Sequence, residues 1–398
     1  MEQPKNNHRS ILIYDPNVDG HHIGYLRFIS ETLLHAGYHV SLAIDTRPES
    51  FPRIQAQLDD LLGRMQVISA FGDSSGSSKD KVKCVAECLI KSGADSVFLT
   101  TLDEIASQLL RRAAFGLMPP AVLQGKLGGI YMRPRFLDGC GLSPNLRIKS
   151  LGFLRLLRHG WFRQLLFLDP FMEAQLKVKH PQAPGFFLPD PYPENFTTDR
   201  AHAMQKLGVP SGRQVFLFYG GAYRRKGLHL AVKAMLNLPE NSPAFLLCAG
   251  KQPKDSGLAG DLEKLASQGR AILINRYVST EEEQMVFAAC DFVLLPYIGH
   301  FGSSGVLARA AGAGKPVIAS DEQLVGRLTR KYNMGPLFPS GSVPALQQAI
   351  LQAVAATPSE LARWRQGAQA FAGQCSHAAF QAALIAAVDA GFSGAAST

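Results

Sequence analysis

The sequence predicts an α/β protein made of two doubly wound domains. Three observations carry that expectation. Short apolar runs of strand length alternate with helix-length amphipathic segments, glycine and serine cluster at many of the junctions, and the alternation restarts after a proline-rich passage in mid-chain. The 398 residues, 46% of them apolar, exceed what one ordinary core organises. With only 18% charged residues, disorder over most of the chain is not expected. The formal charge of +9 admits nucleic acid, an anionic membrane face or phosphorylated substrates as partners. Because the basic residues are dispersed among apolar segments and form no tails, nucleic acid is set aside.

In the first half, Ile11–Tyr14 reads as a buried strand, followed by a loop holding Gly20, His21, His22 and Gly24. Leu26, Ile29, Leu33 and Leu34 then recur at helical spacing up to Gly37, and residues 40–44 make a second strand. Such a unit puts its loop at the carboxyl edge of a parallel sheet, where open α/β folds bind ligands. The GxGxxG pattern of dinucleotide binders is absent, which argues against an NAD enzyme. A helix over 54–62, a strand over 65–68, a polar linker FGDSSGSSKD, a helix over 82–90 and a strand over 96–99 continue the series, and another helix follows Asp103. The segment AVLQGKLGGIYMRPRF reads as a strand ending in a glycine-rich loop with Arg133 and Arg135. Residues 148–162 place Leu151, Leu154 and Leu157 on one side of a helix with Lys149, Arg155 and Arg158 around them and Trp161 at the end. That composition suits a helix lying in a lipid interface, but the same pattern marks a helix packed on its own domain, which is the favoured reading. A strand over 165–168 leads to HPQAPGFFLPDPYPE, which places the domain boundary near Asp190. Domains of 1–190 and 191–398 follow, facing each other across a cleft, with the last helix able to cross back.

The second half reads strand 215–219, the basic loop GGAYRRKG, helix 228–238, strand 244–249, helix 262–267 and strand 272–277. A helix opened by Thr280 with Glu283 three residues on has capping-box spacing. Next come strand 292–295, a Gly/Ser loop, a small-residue helix from Gly305 and a strand over 316–319, with later helices around 346–354 and 379–388. The first loop sets Arg224, Arg225 and Lys226 behind Gly220 and Gly221, so cations and open backbone meet at a strand end, as a diphosphate requires. At the second loop, Ser303, Ser304 and Gly305 offer backbone N–H groups at a helix N-terminus, a favourable place for a phosphate or sugar oxygen. Each loop alone also reads as a plain turn; their recurrence in one half-chain favours phosphate.

The ordered run YGGAYRRKGLHLAVKAM, FLLCAG, ILINRYVSTEEEQMVFAACDFVLLPY and SSGVLARAAGAGKPVIAS resembles the donor domain of retaining GT-B glycosyltransferases, glycosyltransferase family four. The resemblance implies the GT-B fold and metal-independent transfer of a sugar from a nucleotide-diphosphate-sugar, as co-substrate, to a glycan, lipid-linked or other hydroxyl acceptor, with retention, in polysaccharide or glycoconjugate assembly. It implies a donor diphosphate on the loop of Gly220, Gly221, Arg224, Arg225 and Lys226, a nucleobase against Tyr277 and Val278, and a sugar and ribose held by Gly302, Ser303, Ser304, Gly305 and Val306, with Arg309, in place of the family's ribose-binding glutamate, meeting a donor phosphate instead. Arg225 and Lys226 are then the leaving-group cations, with His300 near the sugar. Gly20, His21, His22 and Arg133 fall on the acceptor side. The family's two glutamates across the last loop and helix are Phe301 and Arg309 here, and its loop arginine is Gly221, with Arg224 or Arg225 as substitutes.

Two further readings stay open: a nucleotide-sugar-binding GT-B protein or partner subunit without turnover, and a GT-B nucleotide-sugar epimerase. No metal is expected, since no carboxylate cluster accompanies the histidines. Six cysteines without metal-ligand spacing fit a reducing compartment. No stretch reads as a span of ~20 apolar residues or as a signal peptide. The expected location is cytoplasmic, peripheral on the inner membrane face.

Overall fold

The computed structural model describes residues 9–17, 22–71, 80–137, 143–192, 196–221, 223–252 and 256–394. Gly20, His21, Cys140 and most of the polar linker, residues 72–79, lie outside them. The chain divides into two compact units, residues 1–188 with 381–398, and residues 189–380.

The first unit runs β1 (Ser10–Asp15), α1 (His22–His35), β2 (His39–Ile44), α2 (Phe51–Leu62), β3 (Gln66–Ser69), α3 (Lys81–Ser92), β4 (Ser96–Leu99), α4 (Asp103–Ala114), β5 (Leu127–Tyr131), α5 (Pro144–Arg158), β6 (Phe162–Phe167), α6 (Pro170–Lys179) and β7 (Gly185–Phe187). Its seven strands are parallel in the order β3-β2-β1-β4-β5-β6-β7. Continuous apolar runs such as Ile11–Ile13 and Val97–Leu99 are buried, as strands covered on both faces require. The order reverses between β1 and β4, so the loops leaving their carboxyl ends part there and open a crevice.

Three expectations are corrected in this unit. Gly128 and Gly129 lie inside β5 and not in a loop after it. A Cβ on Gly129 would sit 2.3 Å from the Leu99 carbonyl oxygen and one on Gly128 2.5 Å from the Gln164 side chain, so Gly129 serves close approach of β4 and β5 and Gly128 makes room for a side chain of β6. The helix expected over 148–162 starts earlier and ends at Arg158, because Pro144 suits a first turn and Gly160, at φ +66°, turns the chain into β6. Its buried face is Gly152, Phe153 and Leu156, whereas Leu151 is 58% exposed. Gly152 seats the helix on α4, where a Cβ would meet the Leu110 carbonyl oxygen at 1.8 Å. Trp161 and Phe162 are buried, Phe162 opening the strand that the sequence placed at Leu165.

The second unit runs α7 (Arg200–Leu207), β8 (Gln214–Tyr219), α8 (Leu228–Leu236), β9 (Ala244–Ala249), α9 (Ser256–Ser267), β10 (Ala271–Ile274), α10 (Thr280–Ala289), β11 (Phe292–Leu295), α11 (Gly305–Gly312), β12 (Val317–Ser320), α12 (Gln323–Tyr332), β13 (Leu337–Phe338), α13 (Val343–Val354) and α14 (Pro358–Gln374). Its six strands are parallel in the order β10-β9-β8-β11-β12-β13. Here the reversal falls between β8 and β11. The basic loop follows β8 and the Gly/Ser loop follows β11, so the switch point brings together two segments some seventy residues apart.

Helix α10 is capped one residue earlier than its sequence suggests. Ser279 and Glu282 form the capping box, because Ser279 holds the extended conformation that a cap needs. That leaves Glu283 to turn inward. Helix α15 (His377–Gly394) begins in the second unit and its residues from Gln381 belong to the first. By length and composition alone, Pro358–Ser393 holds a window apolar enough to cross a membrane. It comprises α14 and α15, and Phe380, Leu384, Ala387 and Val388 are buried in the protein. The five described cysteines are free and buried.

Candidate functional site

In the second unit the loops after β8 and β11 are fastened side by side. Ile298 donates its backbone N–H to the Arg225 carbonyl at 2.9 Å. Gly227, at φ +74°, lies so close to Pro296 that a Cβ would meet its carbonyl oxygen at 1.8 Å, and only glycine fits there. Lys226 Nζ donates to the Tyr297 hydroxyl at 2.8 Å and lies 4.0 Å from the centre of that ring. The same hydroxyl is 3.0 Å from Ser304 Oγ, which caps α11 by accepting from the Leu307 N–H at 3.3 Å. Arg225 Nη1 donates to Nδ1 of His300 at 2.6 Å, and His300 Nε2 contacts the Ser303 carbonyl at 3.0 Å.

These contacts line two cations up with a helix N-terminus. The N–H groups of Gly305 and Val306 make no hydrogen bond among the described residues and share the positive end of the α11 dipole. Gly302, at φ +106°, turns the chain ahead of them. Arg225, Lys226 and the α11 N-terminus together make a site for an anion of more than one charge. Gly220, at φ +98°, and Gly221 keep the strand end open beside it. Arg224 is exposed, and its side chain makes no hydrogen bond or ion pair among the described residues.

Behind this site Arg309 projects from α11 and donates through Nε to both carboxylate oxygens of Glu283, at 3.1 Å each, and through Nη1 to the Gly305 carbonyl at 3.2 Å. Tyr219, at the end of β8, donates to the same carboxylate. Burial first, then the Glu283 charge and hydrogen bond, push the Tyr219 hydroxyl far above its ordinary range, so it stays a donor. The expectation that Arg309 meets a phosphate is therefore revised: its guanidinium is committed to Glu283. His300 is likewise 8% exposed with both ring nitrogens engaged, which makes it a support for Arg225 more than a sugar contact. The strand before Tyr277 and Val278 ends at Ile274, three residues short of expectation, and Tyr277 is 90% exposed.

In the first unit, the carboxyl edge of the sheet holds a second group. Asp15, 1% exposed at the end of β1, lies 3.0 Å from His22 Nδ1 on the first turn of α1 and accepts from Thr100 Oγ1 at the end of β4. A buried carboxylate holding one ring nitrogen fixes the orientation of the imidazole. Gly20 and His21 lie outside the described residues. Arg133 is exposed, its backbone N–H donating to Asp103 at 3.1 Å, and Asp103 is pushed up by burial. Sequence reasoning passed over Asp15, Thr100 and Tyr297 and gave Glu283 to a helix cap. The signal for three of them was position: Asp15, Thr100 and Tyr297 each stand within two residues of a strand's carboxyl end. Among the described residues no group of three or more His, Cys, Asp or Glu could hold a metal ion.

The two parallel-sheet units define an α/β protein of the GT-B type, a fold shared across the chain with solved glycosyltransferases. Against the crystal structure of WaaG, a glycosyltransferase involved in lipopolysaccharide biosynthesis, the TM-score is 0.65 at 16% identity, covering 96% of this chain and 98% of that one. Against Anabaena Alr3699/HepE in complex with UDP and glucose it is 0.66 at 16% identity, covering 98% and 100%. Residues 199–371, which hold both fastened loops, match the family described as Glycosyl transferases group 1. A stretch of 141 residues is 35% identical to the D-inositol 3-phosphate glycosyltransferase of Corynebacterium urealyticum and covers 32% of each chain, so the match spans about a third of that relative's length.

Proposed function

We propose that the protein is a retaining, metal-independent glycosyltransferase that moves a sugar from a nucleotide-diphosphate-sugar to a hydroxyl acceptor on a glycan or lipid-linked substrate. The observation that carries this reading is the fastening of Arg225 and Lys226 against the N-terminus of α11. As the glycosidic bond to the donor breaks, negative charge gathers on the departing diphosphate. Fixed cations and N–H groups aimed at that charge stabilise it without reorganising, which is where such a site gains most of its rate. The Group 1 match over residues 199–371 and the UDP and glucose bound by HepE support the same donor class. On the acceptor side, His22, held by Asp15, orients a hydroxyl or a phosphate in this reading, and Arg133 a phosphate; the name of the corynebacterial relative includes D-inositol 3-phosphate.

The test is sugar transfer by Lys226→Ala, following a thermal-shift screen against UDP, GDP, ADP, TDP and their sugars to fix the donor. A loss of at least a hundredfold in kcat supports the reading, and transfer at the wild-type rate rejects it. One observation favours the rival binder or partner subunit: position 309 holds an arginine already spent on Glu283. Donor binding without turnover on any acceptor would establish that alternative.

We infer in addition a peripheral contact with the anionic inner face of a membrane. Phe115 (75% exposed), Leu117 (63%) and Leu151 (58%) present apolar surface, and Arg155, within 3.6 Å of the Gly116 Cβ position, adds charge beside them. Vesicles containing phosphatidylserine should sediment the protein at low salt and release it as salt rises; no sedimentation at low salt removes the inference.

A further inference from the structure

A cavity of about 850 Å³ opens in the first unit where Gly125, Phe162, Arg163 and Pro184 stand at the amino ends of β5, β6 and β7. That is the opposite edge of the sheet from Asp15, His22 and Thr100, so the loops at the switch point do not reach it. Its walls come from three helices: Leu154, Leu157 and Arg158 of α5, Lys179 at the end of α6 with His180 after it, and Ala390 and Gly391 of α15. A smaller cavity of 130 Å³ shares Leu154, Lys179 and His180 and extends the apolar wall along α5 and α6 to Met172 and Leu176.

The chemistry of the lining is one-sided. Arg158, Arg163, Lys179 and His180 contribute the charged and titratable groups, and none of the lining residues is acidic. Arg163 is half-buried: its Nε donates to the neutral Gly125 carbonyl at 3.0 Å and its guanidinium lies 4.7 Å from the centre of the Phe392 ring. No carboxylate comes within 4 Å of any of the four groups among the described residues. Burial accordingly pulls the Arg163 guanidinium below its ordinary range. Asp95 acts on Arg163 only from beyond 4 Å and partly opposes that shift; a half-buried cation with no carboxylate paired to it directly is still costly, and an anion entering from solvent relieves that cost. Beneath Gly391, Gln164 is fully buried with both side-chain polar atoms unpartnered among the described residues, its Oε1 2.8 Å from where a Gly391 Cβ would stand, so glycine keeps this wall thin.

We propose that this cavity binds a phosphate monoester of an apolar alcohol, the phosphate meeting Arg158, Arg163 and Lys179 and the apolar body lying along Leu154, Leu157 and Phe162. The volume suits one small ligand, and cations beside an apolar wall match an anion with an apolar tail better than inorganic phosphate. Such an ester has two sources, a lipid or a water-soluble aryl or alkyl phosphate, and the probes separate them. Dihexanoyl phosphatidate below its micelle concentration represents the first and phenyl phosphate the second, each titrated calorimetrically into the full chain. Saturable binding of either supports the proposal, the tighter one naming the source, with inorganic phosphate and dihexanoyl phosphatidylcholine at least tenfold weaker. The double variant Arg158→Gln/Lys179→Gln should weaken binding at least tenfold. Ala390→Trp, which fills the cavity from an exposed helix position and removes no charge, should do the same. Lys226→Ala should leave it unchanged. Absence of binding by both esters, undiminished binding in both cavity variants, or loss of binding in Lys226→Ala overturns the proposal.

Discussion

Arg225 and His300 are joined at 2.6 Å, and the direction of that hydrogen bond fixes the histidine's state. A guanidinium only donates, so Nδ1 accepts; a carbonyl only accepts, so Nε2 carries the proton toward Ser303 at 3.0 Å. The imidazole is therefore neutral and works as a strut between the basic loop and the turn before α11. His300→Ala should cut affinity for the nucleoside diphosphate that stabilises the wild type by about tenfold, or about 1.4 kcal/mol, while the ligand-free melting temperature moves by only a few degrees. Calorimetric titration checks it. Unchanged affinity would mean that Arg225 holds its place without the ring.

The Arg309–Glu283 pair allows a sharper separation of structure from function. Glu283 has 11% of its side chain exposed and Arg309 29%, so removing the arginine leaves a carboxylate largely out of water with Tyr219 as its remaining side-chain donor. Arg309→Ala should destabilise the protein by about 2 kcal/mol, an estimate already reduced for partial exposure. Arg309→Glu, which sets two carboxylates together, should cost more. A double-mutant cycle with Glu283→Gln, read by denaturant unfolding, should recover part of the loss because the stranded charge is gone. Simple additivity would show that the two side chains are not coupled.

What was legible in the chain and what was not divides on sequence distance. Residues 96–99 and 244–249 form strands with the bounds their continuous apolar runs indicate, because runs of that length pack on both faces of a parallel sheet. The glycine-rich basic loop and the Ser-Ser-Gly turn were visible as local composition. Their fastening was not, since Tyr297 stands 71 residues from Lys226 and His300 75 from Arg225. Glu283 was misassigned to a cap because a run of three glutamates offers equivalent capping positions, and only the backbone at Ser279 decides among them. In α5 the leucine pattern hid the true packing face: the decisive residue is Gly152, which carries no hydrophobic signal at all.

Glycine identity gives an independent check on the fastened loops. Gly227→Ala forces a left-handed residue to carry a Cβ into the Pro296 carbonyl, 1.8 Å away. The two loops must then separate. Stability should fall by at least about 2 kcal/mol and nucleotide affinity should fall with it. Gly260→Ala, in α9 with nothing within 4 Å of its Cβ position, is the contrast. It should be neutral or stabilising by about 0.5–1 kcal/mol, since alanine narrows the unfolded ensemble and favours helix. Thermal and denaturant unfolding of both variants decide the matter: equal behaviour would show that the close approach at Pro296 relaxes freely.

Acid stability should report one buried carboxylate in the first unit. Asp45, 1% exposed just after β2, accepts from Arg47 Nε at 2.8 Å, Arg47 Nη2 at 2.7 Å and the Arg47 backbone N–H at 3.1 Å. Those hydrogen bonds, the arginine side chain's foremost, hold its carboxyl down to about 2 against an ordinary 3.8. A group with a depressed folded-state value stabilises the fold above its unfolded value, and that stability drains away as pH falls toward the folded one. The window is therefore pH 4 down to 2. The full shift corresponds to about 2 kcal/mol. Since the Arg47 side chain is 45% exposed, solvent screening brings the expected contribution to about 1 kcal/mol. Denaturant unfolding at pH 7 should show Asp45→Asn less stable by that amount, and the gap between variant and wild type should close as pH is lowered through the window. A gap that stays constant down to pH 2 would mean that packing around the residue, and not its charge, accounts for the loss.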